Sequence, residues 1–138
     1  MSLYIVTLGI GRLVITTQLT NIKDLTDETY WDGLSTRALA RFFLLSSLNE
    51  GPKHGYELKR SISECCDGCC DPTDAMIYPA LKELVAGGYV ECVEQATGGR
   101  TRKVCNLTPR GEEALAAGAR TWQKILPSLE RTVQQIIG

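Results

Sequence analysis

The sequence predicts a mainly α fold with one small β-hairpin, and three observations predict it. Between Ser35 and Gly88, apolar residues recur at helical spacing in three stretches, separated by turn-forming or cysteine-rich breaks. Two alternating runs, Tyr89–Gln95 and Arg100–Leu107, flank Gly98-Gly99, a pair suited to a two-residue turn because both positions can take positive φ. After Thr108-Pro109 an apolar stripe continues at helical spacing to the C-terminus. The 138 residues are 43% apolar and 22% charged, with a formal net charge of −1. Such a chain suits one packed domain and excludes a disordered one. It also excludes a polycation, so any nucleic acid must be met by a local basic surface.

Taken in order, residues 1–34 read as an N-terminal extension. Leu3–Leu8 and Leu13–Thr17 flank Gly9-Ile10-Gly11 and can form a hairpin, or the stretch is a poorly ordered leader. Residues 21–36 read as a short helix or turn. A second unit then spans 35–108. Its first helix is predicted at Thr36–Leu48, with Leu39, Phe42, Phe43, Leu45 and Leu48 toward a core, ended by Asn49-Glu50-Gly51-Pro52. Its second is His54–Ile62, with Tyr56, Leu58 and Ile62 as apolar positions. The third opens at Asp71-Pro72, an N-cap followed by Pro at the first helical position, and places Ile77, Ala80, Leu81 and Leu84 inward before Gly87-Gly88. Pro79 lies within it and removes one backbone donor, which can bend the helix or delay its start.

Centring the hairpin turn on Gly98-Gly99 pairs Glu94 with Lys103, Val93 with Val104 and Cys92 with Cys105, which matches charge to charge and valine to valine. The last helix, 109–138, carries Leu115, Ala119, Trp122, Leu126, Leu129, Val133 and Ile136, in steps alternating four and three. That is a packing seam. It outlasts the small unit before it, so a homodimer is expected through Leu115, Trp122, Leu126, Leu129, Val133 and Ile136, alongside packing on the chain's own first helix. Pro127 is expected to kink it.

Three helices, a hairpin and a long helix make a winged helix-turn-helix arrangement with a C-terminal dimerisation helix. The hairpin supplies the local charge such a fold needs. Residues 97–110 hold Arg100, Arg102, Lys103 and Arg110 and no acid, a local +4. Arg100, Arg102 and Lys103 are the expected phosphate contacts. On the third helix Thr73, Tyr78 and Lys82 are the expected contacts to double-stranded DNA, Tyr78 and Lys82 sharing a face at four residues' separation. The competing reading of Tyr78 is a core aromatic with its hydroxyl at the surface.

Residues 37–115 resemble the PadR family of bacterial transcriptional regulators. The resemblance is carried by Gly51-Pro52-Lys53-His54-Gly55-Tyr56-Glu57-Leu58-Lys59, Ile77-Tyr78-Pro79-Ala80-Leu81-Lys82-Glu83-Leu84, Gly88-Tyr89-Val90 and Leu107-Thr108-Pro109-Arg110-Gly111. It implies a homodimeric winged-helix repressor of the shorter branch, with a single C-terminal helix packing on the partner's N-terminal helix. It implies too that a Pro at 79 is tolerated. The N-terminal extension and the segment 65–70 depart from the family pattern and borrow no function from it.

That segment is the unusual part of the chain. Four of six Cys fall in Glu64-Cys-Cys-Asp-Gly-Cys-Cys-Asp71. Cys66 and Cys69 have the CxxC spacing that lets two thiolates reach one ion, and Cys65 and Cys70 flank them. Glu64, Asp67, Asp71 and Asp74 add negative charge with no base among them, a cost that proton retention or a bound cation relieves. The expected cofactor is a thiophilic ion, Zn(II), Cd(II), Hg(II) or As(III), held beside the DNA-reading helix. The alternatives are a thiol redox switch, a small-molecule-responsive regulator with incidental cysteines, and, without DNA, a small metal-binding protein. Cys92 and Cys105 read as buried core thiols, with a cross-strand bond, or service as extra ligands, as the minority reading.

No catalytic motif is present: His54 is the single His, and there is no phosphate-cradling glycine loop or HExxH, so an enzyme is not expected. The start lacks a basic n-region, and its apolar run is broken by Arg12, glycines and threonines. A cytoplasmic protein with no membrane partner is expected.

Overall fold

A computed structural model gives the structure of the protein and describes residues 3–8, 12–17, 24–65 and 73–138. The chain forms two compact units, Met1–Trp31 and Asp32–Gly138.

In the first unit, β1 (Leu3–Leu8) pairs antiparallel with β2 (Arg12–Thr17), Ile5 opposite Ile15 and Val6 opposite Val14. The hairpin expectation holds. Before the first helix, Asp24 accepts from the backbone N–H and hydroxyl of Thr26, and Asp27 accepts from the Thr29 N–H at 3.0 Å. Both carboxyls are held below the usual range, chiefly by these hydrogen bonds. Asp27 occupies the N-cap position of α1 (Glu28–Asn49). This helix begins eight residues earlier than the predicted Thr36 and absorbs the segment expected as a short helix or turn. Gly33 sits inside it. A glycine in a helix interior costs about 1 kcal/mol relative to alanine, and the helix runs through it.

In the second unit, the core is built by α1, α2 (Gly55–Cys65), α3 (Asp74–Ala86) and the root of a three-stranded antiparallel sheet. Leu44, Leu48, Leu58, Ile62, Val90 and Cys105 are essentially inaccessible, with Ile77, Ala80, Leu81 and Leu84 packed around them. Leu44 takes the centre that Phe42 was expected to share. Phe42 is half-buried and instead meets Phe43 and Trp122, ring centroids 5.7 and 6.3 Å away. Tyr56, expected among the apolar positions of the second helix, is 73% exposed.

The sheet has the order β3-β5-β4, with β3 at Lys53–His54, β4 at Val90–Thr97 and β5 at Arg100–Leu107. The register of β4 and β5 is the predicted one: Glu94 faces Lys103, Val93 faces Val104 and Cys92 faces Cys105. Gly98 and Gly99 take φ of 59° and 79° at the turn. Cys92 and Cys105 are joined by a disulfide, which corrects the expectation of two free core thiols. Non-hydrogen-bonded partners on adjacent strands bring their side chains close enough for that bond.

The N-cap of α3 is Thr73, later than the Asp71-Pro72 start signal, and Pro79 lies inside the helix without ending it. The final helix, α4 (Pro109–Ile137), starts as predicted: Thr108 caps it by accepting from Gly111 N–H, and Pro109 occupies the first turn. The helix continues through Pro127. No helix among the described residues is long and apolar enough to cross a membrane. The molecule is a mostly helical winged-helix fold with a small antiparallel sheet.

Candidate nucleic-acid interface

The interface is built by three local structures meeting around one open cavity of about 630 Å³, lined by residues of β3, α2, α3 and β5. The first is the start of α2. His54 ends β3, pairing with Val104, and its backbone N–H donates to the Glu57 carboxylate at 2.9 Å. This is half of a capping box, with the acid three residues into the helix reaching back to the cap. Leu58, next along, is fully buried and fixes the helix on the core. The run Lys53-His54-Gly55-Tyr56-Glu57-Leu58 thus encodes a strand end, a cap and an anchor in six residues.

The second is the exposed face of α3. Ile77, Ala80, Leu81 and Leu84 face inward, which turns Tyr78 and Lys82 outward. Tyr78 is 56% exposed, which sets aside the core-aromatic reading. A Cβ at Gly55 would stand 3.3 Å from the Tyr78 hydroxyl, so the lack of a side chain at 55 lets that hydroxyl approach the start of α2. Thr73, at the N-cap, is exposed and makes no side-chain cap hydrogen bond.

The third is β5. Arg100, Arg102 and Lys103 are all exposed. Arg102 and Lys103 line the cavity with Tyr56, Tyr78 and His54, and Arg102 Nη1 lies 3.4 Å from His54 Nε2. The cavity therefore combines cationic donors with phenolic hydroxyls, the chemistry that meets phosphate oxygens. Thr73 and Lys82 on α3, and Arg100 near the turn, are not among its lining residues. Sequence reasoning missed Tyr56 and His54 here, because helical periodicity put Tyr56 inward and a lone His carries no spacing signal. The missed β3 is too short to show alternation. Arg110, part of the basic count, lies away from this set: it stacks over Tyr89 with its guanidinium carbon 4.9 Å from the ring centroid, and its hydrogen bond to the Tyr89 hydroxyl raises its pKa.

The expected dimer seam divides. Leu115 is packed against the core, and Trp122 is half-buried on Phe42. Leu126, Leu129, Val133 and Ile136 are 57, 54, 44 and 75% exposed. Of the expected metal ligands, Cys65 is the last residue of α2, while Cys66, Cys69 and Cys70 lie outside the described residues. Among the described residues no group of His, Cys, Asp and Glu is arranged to hold a metal ion.

This fold is shared with solved structures. A putative transcriptional regulator from Thermoplasma acidophilum aligns at 22% identity over 73% of this chain and 96% of its own, with a TM-score of 0.64. A PadR-like transcriptional regulator from Bacillus cereus aligns at 20% identity over 73% and 97%, also with a TM-score of 0.64. A transcriptional regulator from Clostridium thermocellum aligns at 20% identity over 75% and 98%, with a TM-score of 0.62. No curated protein matches the sequence significantly. The family model of the PadR-like transcriptional regulators matches residues 44–117, from the core of α1 through the wing into α4. That stretch holds every element of the cavity and more than half of the chain, and the protein belongs to the PadR-like family of transcriptional regulators.

Proposed function

We propose that the protein is a homodimeric, cytoplasmic repressor that binds a double-stranded DNA operator. In this reading α3 enters the major groove and presents Thr73, Tyr78 and Lys82, while the wing sets Arg100, Arg102 and Lys103 on flanking phosphates. The carrying observation is the shared cavity, where wing cations and the Tyr78 hydroxyl converge beside the exposed face of α3. The dimer forms through the α4 stripe, with Leu126, Leu129, Val133 and Ile136 exposed in the single chain and Leu115 and Trp122 continuing the line inward. A monomer that leaves such a stripe in water exposes apolar area that a second copy would cover. The test is operator affinity of the Arg100→Ala/Arg102→Ala variant across salt concentrations. The slope of log affinity against log salt is expected to fall by about 0.9 for each lost phosphate contact. An unchanged slope and affinity remove the wing from the interface.

A second reading concerns regulation, and it rests on the sequence between Cys65, at the end of α2, and Thr73, at the start of α3. Cys65, Cys66, Cys69 and Cys70 offer soft donors to Zn(II), Cd(II), Hg(II) or As(III). An ion held there would change charge and strain next to the reading helix. Titration with each ion, followed by a gel shift, tests this. Absence of binding at micromolar ion, together with unchanged repression when all four become Ser, refutes it.

A further inference from the structure

The disulfide between Cys92 and Cys105 stands at a boundary in the wing. Below it the rung Val90–Leu107 belongs to the core, with Val90 1% exposed. Cys105 itself is 2% exposed. Above it, Val93 to Ala96 and Arg100 to Lys103 are exposed on both strands. The ribbon beyond the disulfide thus has no hydrophobic support of its own, and a lone two-stranded ribbon in water is marginally stable. The two strands are also held unequally. β5 is paired on its other side by β3, at Lys53–Cys105 and His54–Val104. β4 lies at the sheet edge and has only β5. The covalent bond is placed where it ties the edge strand to the anchored one, two residues from Lys103 and three from Arg102.

We propose that Cys92–Cys105 is a thiol–disulfide exchange site that sets how firmly the wing presents Arg100, Arg102 and Lys103. The proposal rests on the DNA-binding reading above. The reductant is a dithiol, free or protein-borne. One of its thiolates attacks Cys92 Sγ, on the half-buried partner. A mixed disulfide forms, and Cys105 Sγ leaves as a thiolate that takes up a proton. The second thiol of the reductant attacks the mixed disulfide, releases Cys92 as a thiol and leaves the reductant as its own disulfide. Two electrons pass to the wing, and the reverse exchange with that disulfide restores the bond. The compartments that hold chromosomal DNA generally keep thiols reduced, and disulfides found there are mostly transient, catalytic or redox-sensing. A transcriptional regulator with this bond is therefore placed where the bond can respond.

Oxidised, the wing is pre-organised for phosphates. Reduced, the ribbon must be ordered on binding, which weakens the complex by about 3- to 10-fold. The experiment measures binding of the full chain to a duplex enriched from a random DNA pool, before and after treatment with a dithiol, with differential alkylation and mass spectrometry reporting each cysteine. Weaker binding on reduction, tracking alkylation of Cys92 and Cys105 and reversed by reoxidation, is the expected result. The Cys92→Ala variant, checked for folding by its thermal transition, is expected to bind like reduced wild type and to ignore the dithiol. Equal affinity of both wild-type states overturns the proposal. So does a full response retained by Cys92→Ala, which would assign it to the cysteines before α3. Binding in neither state refutes the DNA reading itself, and the proposal with it.

Discussion

The reading helix and the wing face the same cavity but are supported in different ways. α3 buries Ile77, Ala80, Leu81 and Leu84 along its length, so each exposed residue between them inherits the rigidity of the core. The wing buries only its root, and Arg100, Arg102 and Lys103 extend beyond the last buried rung. A helix can expose one face while anchoring the other, whereas a two-stranded ribbon outside the core anchors neither. Base reading demands fixed geometry and suits the first construction. Phosphate contact positions the protein without reading sequence, so a ribbon can supply it once a cross-strand tie holds it in place.

The contrast can be broken most severely at the core. Leu44→Ala is expected to cost about 2–5 kcal/mol, because a fully buried side chain of the core cluster leaves a cavity behind. Thermal unfolding measures this, and both α3 and the wing should fail together. If the proposed dimer forms through α4, replacing Leu129 and Val133 by Asp should leave the chain folded but weaken self-association by about 100-fold or more, read by sedimentation. A subunit fold lost along with association would show that the exposed half of α4 supports its own chain.

Smaller changes sharpen the comparison. Lys82→Ala, on the anchored helix, should lower operator affinity without altering wing exchange in hydrogen–deuterium measurements. Gly55→Ala should reduce affinity by about 2- to 5-fold, since its Cβ would press on the Tyr78 hydroxyl and shift it by a few tenths of an ångström. The smallest effect concerns acid. The Asp24 and Asp27 carboxyls lie below their ordinary values, so their contribution is complete above the usual carboxylate range. It is lost as pH falls through the depressed values. Protection of the first-turn amides of α1, measured against their intrinsic exchange rates, should fall at acid pH, and Asp27→Ala should lower it at neutral pH.

How far the fold was legible depended on how many signals agreed at each place. The wing register was readable because Gly98-Gly99 fixed the turn and charge and valine pairs confirmed the alignment. The start of α4 was readable because Thr108 and Pro109 act together. The buried face of α1 was harder. From Leu39 to Leu48 apolar side chains point nearly all round the helix, so spacing alone did not pick Leu44 over Phe42. The cavity was half legible. Charge counting found Arg102 and Lys103, but the exposure of Tyr56 follows from the capping of α2 by His54 and Glu57, a tertiary and local effect that periodicity does not carry. The bond between Cys92 and Cys105 could be placed in register from sequence, but pairing alone does not distinguish thiols from a disulfide.

One feature at the root of the wing links the reader to the long helix. Thr108 Oγ1 donates to the Gly88 carbonyl at 2.7 Å and accepts from Gly111 N–H, and Thr108 N–H donates to the Tyr89 carbonyl. Gly111 packs so near that carbonyl that a Cβ there would stand 2.1 Å away. The end of α3, the edge strand and the head of α4 are in effect welded at one joint. A weld transmits rotation without absorbing it. In the proposed dimer, any change of angle between the two long helices would swing each reading head as the short arm of a lever. The spacing of the two heads along the duplex would then be adjusted from the far end of the molecule.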